Sequence, residues 1–334
     1  IEPPDTAQRA GDPSEVGNDR RAALKAGTLA LAGLLAPSVA QAQGARKKGP
    51  TGGAPHPYTT GSTLDVAYID PTSVWVSPEL RLVRRITMGI TETEGALAKS
   101  IGYDAYLERQ LAASVDDTAV TTYVSFNYPY TDLSVDALNP LDSGQVQQQL
   151  TNAMIYRSAF SANQLKERMV EFWTDHFNIL FEKVGYLKAV DDKAVIRANA
   201  LGNFYTLLRA SAHSVAMLNY LDQTASTLRA PNQNYAREIM ELHTLGVNGG
   251  YTQTDVAELS RVLTGWTQAG RGNFLFNPTL HDFGAKVVLG VNVPASSSGI
   301  GIAAQQEGEN MLTMLLTHPS TATFVSTKLL KFFL

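Results

Sequence analysis

The sequence predicts a mainly α protein: a multi-helix single domain with one small β-hairpin. Two observations carry that reading. From Pro78 onward apolar residues recur at helical spacing almost to the last residue, punctuated by capping residues, glycine and proline. Strand-like alternation is confined to residues 273–290. The composition suits a large core, with 334 residues of which 44% are hydrophobic and 17% charged.

The first 45 residues read as an address. Asp19-Arg20-Arg21 with Leu24 and Lys25 resembles a twin-arginine export motif, with Ala23 where Phe is commoner. An apolar run to Ala36 follows, then Pro37 and the small-residue pattern Ala40-Gln41-Ala42, suited to cleavage near residue 42. That run is too short and too rich in small residues to form a stable membrane span. The expected location is therefore periplasmic or secreted. Residues 46–77 read as a flexible Gly/Pro/Lys-bearing linker, and 78–334 as the folded domain. Ile1 in place of Met and the ending at Phe333-Leu334 read as those of a fragment, truncated at the C-terminus.

Within the domain, helical periodicity covers 79–88, 93–112, 144–160, 162–177, 188–210, 212–221, 234–245, 255–266 and 307–333, the last broken at His318-Pro319. Residues 125–140 read as an aromatic, Asp-bearing loop. Phe274 and Phe276 alternate as a strand, a turn follows at His281-Asp282, and Val287-Val288-Leu289 returns as its partner.

The richest segment is 234–255. At about 100° per residue, Tyr235, Ile239, Leu242 and Leu245 share an apolar arc. Arg237, Glu241 and Thr244 fall opposite, with Arg237 and Glu241 spaced as an ion pair. Glu238 lies inside the apolar arc, where a carboxylate needs a partner. Arg168, Arg197 and Arg209 are candidates for that role. His243 lies on the other flank, about 140° from Glu238, so other segments must close any shared site. Gly246 is placed for a left-handed helix cap, and Thr252 with Asp255 has the spacing of a capping box. The loop lacks the alternating carboxylates of a calcium site.

This segment, NYAREIMELHTLGVNGGYTQTDVAELSRVLTGW, strongly resembles the core signature of the bacterial DUF1800 family, named for its lack of a known function. Other blocks agree in order: Leu82-Val-Arg-Arg-Ile-Thr-Met-Gly89, Phe172-Trp-Thr-Asp-His-Phe177, Met217-Leu-Asn-Tyr-Leu-Asp222, His281-Asp-Phe-Gly-Ala-Lys286 and His318-Pro-Ser-Thr-Ala322. The resemblance runs from about residue 80 to the end. It implies a fold and an exported location rather than a reaction. Family members are commonly encoded beside a second family of exported proteins, which implies a partner of that kind.

Several functions are excluded by what the chain lacks. A net charge of −4 without a basic, aromatic-interleaved stripe gives no footprint for nucleic acid. Zero cysteines remove disulfides, thiolate zinc sites and Cys-ligated iron–sulfur clusters. No phosphate loop, nucleophile elbow or H-E-x-x-H motif occurs.

The remaining chemistry rests on histidines and acids. His176 shares a helical face with Leu165, Met169, Phe172 and Trp173, so it is expected to be buried, as a structural hydrogen-bonded imidazole or as a metal ligand or general base. Glu238, His243, His281 and Asp282 are the candidate catalytic residues. His176, Glu238 and His243 are the candidate ligands for Zn, Mn or Fe. The structural alternatives are a helix-end charge for His243, an Asx turn for Asp282 with Lys286 as its ion-pair partner, and a helix boundary at His318. Arg84, Arg85 and Arg237 are candidate anion holders, and Tyr123, Phe126, Tyr128 and Tyr130 a stacking surface.

Three functions follow. A metal- or acid/base-dependent enzyme acting on extracytoplasmic material requires His176, Glu238, His243 and the His281-Asp282 turn to converge. A non-catalytic secreted scaffold or partner protein requires them to be scattered and individually satisfied. A carbohydrate- or envelope-binding module requires an exposed aromatic groove near Phe126 to Tyr130.

Overall fold

The computed structural model describes residues 77–113, 115–296 and 301–334. The export signal and almost all of the linker expected from the sequence lie outside the described residues.

Helix α1 (Pro78–Ile86) starts where the Ser77 hydroxyl accepts from the Leu80 amide, with Pro78 at the first helical position. Its last turn carries Arg84 and Arg85, the charges that suit a helix C-terminus. The helix expected over 93–112 is two helices, α2 (Glu92–Ile101) and α3 (Tyr103–Leu111). Gly102 separates them at φ +87°, a conformation that side-chain-bearing residues avoid.

The loop expected over 125–140 is largely helical: α4 (Thr118–Asn127), a 3-10 turn at Pro129–Asp132 and the single turn α5 (Val135–Leu138). The α4 sequence TAVTTYVSFN is rich in β-branched residues, so intrinsic propensity points away from helix. Packing overrides it. Val120 and Val124, four apart, bury against Ala153 of α6 (Ser143–Phe160).

Helix α7 (Gln164–His176) lies within the expected span, followed by the turn α8 (Phe181–Val184). The helix expected over 188–210 breaks in two. Helix α9 (Leu187–Asp191) widens into a π-helical stretch, Asp192–Arg197, and α10 (Phe204–Ala212) restarts where the Asn203 side chain caps the Tyr205 amide. Helix α11 (Val215–Tyr220) follows.

Helix α12 (Gln233–Glu238) also runs into a π-helical stretch, Ile239–Thr244. The wider turn corrects the expected register. The Leu245 amide bonds Met240 O at 2.7 Å, and the Thr244 hydroxyl bonds Ile239 O at 2.7 Å. Thr244, expected to face solvent, is therefore fully buried, whereas Leu242 of the expected apolar arc is 43% exposed. Arg237 and Glu241 turn to other partners, Gln253 and Tyr251. Gly246 ends the segment at φ +81° as expected, packed so closely on Phe324 that an added Cβ would sit 2.8 Å from the ring.

Helix α13 (Gln253–Val262) opens with the expected capping box, Thr252 and Asp255 each bonding the other's backbone amide. The β region differs in pairing from the reading of residues 273–290. β1 (Trp266–Ala269) pairs with β2 (Asn273–Phe276), and β3 (Lys286–Val288) with β4 (Val291–Val293), both antiparallel. The two segments expected to face each other thus each take a nearer neighbour. Trp266, expected to end a helix, opens β1 opposite Phe276. Helices α14 (Gly301–Thr317) and α15 (Pro319–Phe333) close the chain, with His318 as the boundary.

The main core gathers Phe172 and Trp173 of α7, Leu207 and Leu208 of α10, Tyr235 and Ile239 of the α12 segment, Leu259, Trp266 and Leu312. Its polar edges are bonded. Trp173 Nε1 donates to Ala200 O at 2.9 Å and the Tyr235 hydroxyl to Ala212 O at 2.5 Å. Among the described residues no helix is long and apolar enough to cross a membrane.

Candidate functional site

His176 ends α7 inside the core at 3% exposure, packed among Phe172, Trp173, Phe177 and Phe204. Its Nε2 lies 3.1 Å from the carbonyl oxygen of His243. A carbonyl can only accept, so Nε2 carries the proton and Nδ1 the lone pair. That lone pair accepts from Lys328 Nζ of α15 at 2.9 Å. Burial holds the His176 pKa well below the ordinary imidazole range, and the Lys328 charge and His243 add to the effect. The His243 ring, 5% exposed, lies 6.3 Å from that of His176. Burial, with the Lys328 charge, pulls it down to about 3. Both imidazoles are therefore neutral at physiological pH.

Lys328 is partly exposed and stands 5.4 Å from the Phe324 ring centre. Burial lowers its pKa, and the Asp175 charge opposes that shift. The π-helical turn matters to this arrangement. It carries both the His243 ring and the His243 carbonyl that fixes the His176 tautomer. Glu238, immediately before that turn, is buried at 7% exposure, as the apolar arc requires. Each of the arginines considered for it has another carboxylate beside it: Glu171 at Arg168, Glu167 at Arg197 and Glu309 at Arg209.

His281 and Asp282 belong to a second constellation. His281, 1% exposed, lies with Nδ1 2.7 Å from Thr264 O and Nε2 3.3 Å from Glu307 Oε2. The same Glu307 oxygen accepts from Lys286 at 2.7 Å, and its other oxygen from the Ser296 hydroxyl at 2.8 Å. Lys286 thus pairs with Glu307 rather than Asp282. Asp282 receives Arg261 Nε at 2.7 Å and the Gly284 amide at 2.8 Å, the latter the expected Asx turn. Burial alone would raise the Asp282 pKa; the bonds from Arg261 and Gly284 outweigh it and hold the carboxyl below its usual range. A pocket of about 430 Å³ opens beside this turn, lined by Leu228, Pro278, Thr279, His281, Asp282 and Phe283.

The chain therefore brings His176 and His243 together and places His281 and Asp282 in a separate network. Among the described residues no three His, Cys, Asp or Glu side chains are grouped to hold a metal ion. Both ring nitrogens of His176 are engaged, one as donor and one as acceptor, so the donor set does not fit Zn, Mn or Fe as it stands.

Sequence reasoning missed four residues. Lys328 lies 152 residues from His176, with nothing local to announce the contact. His213 lies 2.9 Å from Glu309, whose carboxyl burial would raise but His213 and Arg209 pull down to about 2. Asp191 and Asp192, both 3% exposed, sit where α9 widens. Burial pushes both carboxyls up, despite Lys188 beside Asp191 and Arg197 near Asp192. The charged run Asp191-Asp192-Lys193 inside an expected helix was a signal, but the apolar residues around it hid it.

These features describe a mainly helical domain with a small β-hairpin region and buried histidine networks. The profile of a family described as a protein of unknown function, DUF1800, matches residues 81–334, and the chain belongs to that family. No curated protein and no solved structure matches the chain.

Proposed function

We propose that this chain is an exported enzyme that works by proton transfer, with Lys328 facing the substrate and His176 positioning it from behind. The observation that supports the reading is the 2.9 Å contact between Lys328 Nζ and a buried imidazole of fixed tautomer. A partly exposed amine whose hydrogen bond goes to a neutral acceptor is oriented without being neutralised by a salt bridge. Its lowered pKa brings its two protonation states closer to neutral pH, where general acid–base catalysis is most effective. An imidazolium is costly inside this core, so His176 orients Nζ rather than storing a proton. His243 and Glu238 serve as support from the adjoining turn. Export follows from the twin-arginine-like start, and the substrate is then extracytoplasmic material.

The test is a panel of acyl, glycosyl and enolisable carbonyl substrates offered to the 334-residue chain and to Lys328→Met, with and without EDTA. Chelator-resistant turnover that falls at least a hundredfold in the variant is the expected result. Turnover abolished by EDTA, or retained by Lys328→Met, would overturn the reading. Export is tested separately by fractionating cells that carry Arg20→Lys with Arg21→Lys, which should retain the protein in the cytoplasm.

A second reading, a non-catalytic scaffold for a neighbouring exported partner, is favoured by the other constellation. There Arg261 holds Asp282, and His281 bonds Thr264 O through Nδ1 while its Nε2 lies beside Glu307 of α14. Such a network specifies how the turn docks. Absence of turnover across the whole panel would count for this reading.

A further inference from the structure

We propose that Lys286 and Glu307 join through an amide bond, a covalent cross-link between β3 and α14 that the chain forms by itself. This site is separate from the Lys328–His176 pair and stands without it.

Lys286 opens β3 opposite Val293, and Glu307 lies in α14. Nζ meets Oε2 at 2.7 Å, with side-chain exposures of 0% and 9%. The Lys183–Asp222 and Lys193–Asp132 contacts, by contrast, are 40% to 68% exposed. Water solvates those four groups and leaves them as ordinary ion pairs. Lys286 and Glu307 have lost that solvation, and an ion pair so placed recovers little net stability. Condensing it to a neutral amide removes both charges from the interior. Exclusion of water also disfavours the reverse reaction, hydrolysis. The fold presents amine and carboxyl to each other as reactants within one molecule. The chain has no cysteine, so a disulfide cannot tie these elements together.

Two neighbours supply the chemistry. His281 Nδ1 donates to Thr264 O at 2.7 Å, so the neutral ring keeps its lone pair at Nε2. That Nε2 is buried, makes no hydrogen bond and lies 3.3 Å from Glu307 Oε2. Phe276 and Phe283 flank the imidazole edge-on. On the other side of the carboxyl, the Ser296 hydroxyl donates to Oε1 at 2.8 Å.

The reaction begins as Nζ gives one proton to His281 Nε2. The freed lone pair attacks Glu307 Cδ, and the Ser296 hydroxyl holds the charge that develops on Oε1. The Nζ–Cδ bond forms and the Cδ–Oε2 bond breaks. Oε2 leaves as water, taking a second proton from Nζ and the first back from Nε2. One ammonium and one carboxylate thus give one amide and one water, and no co-reactant is consumed.

The experiment is peptide mapping by mass spectrometry after denaturation and digestion with trypsin and chymotrypsin. Wild type is compared with Lys286→Arg, Glu307→Ala and His281→Gln, each checked beforehand for native circular dichroism. The expected result for wild type is a branched peptide holding Lys286 and Glu307, lighter by one water than its two parts. Trypsin should fail to cut after Lys286. Neither sign should appear in Lys286→Arg or Glu307→Ala. His281→Gln should form the bond about a hundredfold more slowly, timed from synthesis by pulse labelling. Separate, unmodified Lys286 and Glu307 peptides from natively folded wild type would overturn the proposal. So would loss of the water at another position, as in a backbone succinimide. Cross-linking of His281→Gln at the wild-type rate would overturn the part given to His281.

Discussion

Lys328 Nζ donates to His176 Nδ1 across 2.9 Å, joining the last helix to a buried imidazole 152 residues earlier. The bond has a structural role whatever its chemistry. It ties α15 to α7 and gives the Nδ1 lone pair a partner that no water need supply.

Lys328→Met leaves that lone pair unsatisfied inside the core. The expected loss is about 1–3 kcal/mol of unfolding free energy, the usual cost of a stranded buried acceptor. Removing the cation also lets the His176 pKa rise, although burial keeps it below the ordinary value. Urea denaturation gives the first quantity and histidine NMR titration the second. An unchanged His176 titration would show that the contact is not made in solution.

His243 makes stability fall with acid. Its folded pKa of about 3 lies below the unfolded value of about 6.5, so the unfolded chain binds more protons between those limits. Stability is fully present above pH 6.5 and is lost progressively as pH falls toward 3. His243→Gln keeps the carbonyl that orients His176 but removes the titrating ring. Its denaturation midpoint should therefore depend less steeply on pH between 6.5 and 4 than that of the wild-type chain.

Asp192 carries the opposite sign. Burial raises its folded pKa above the unfolded carboxyl value, so the folded chain binds protons more tightly there. That contribution weakens stability as pH rises through the window between the two values. Asp192→Asn should be neutral or stabilising at pH 7, and its advantage should shrink as pH falls toward 4. Thermal melts at pH 4, 5.5 and 7 follow the trend. A variant much less stable than wild type at pH 7 would mean that the charge attraction from Arg197 outweighs burial.

Gly246→Ala meets two penalties at once, a φ of +81° and a Cβ set 2.8 Å from Phe324. The backbone alone costs roughly 1–2 kcal/mol, and the ring must also move. The melting temperature should drop while the circular dichroism spectrum stays helical.

Much of this fold could be read from the chain. Gly246, His318 and the Thr252–Asp255 box are local signals, and each sits at the boundary its chemistry suggested. Of the candidate site, the burial of His176 and Glu238 was legible from their helical faces, whereas that of His243 and of His281, placed at a turn, was not. What escaped depended on distance or on a change of period. Helix α4 forms because Val120 and Val124 find Ala153, a contact its own residues do not encode. The π-helical turn at Ile239–Thr244 alters the wheel on which Thr244 and Leu242 had been placed. Lys328 has no local pattern pointing to α7. The partner of Asp282 proved to be Arg261 because the turn docks on α13, whereas spacing alone favoured Lys286.

The capping carboxylate of Asp255 has one more partner. While Oδ2 accepts from the Thr252 amide, Oδ1 accepts from the Leu289 amide at 2.6 Å, in the turn between β3 and β4. One side chain thus staples a helix start to a hairpin 34 positions later. Fraying of the first turn of α13 would release the hairpin tip, so the two segments should open as one cooperative unit. The exchange rate of the Leu289 amide with solvent deuterium then reports on a helix to which Leu289 does not belong.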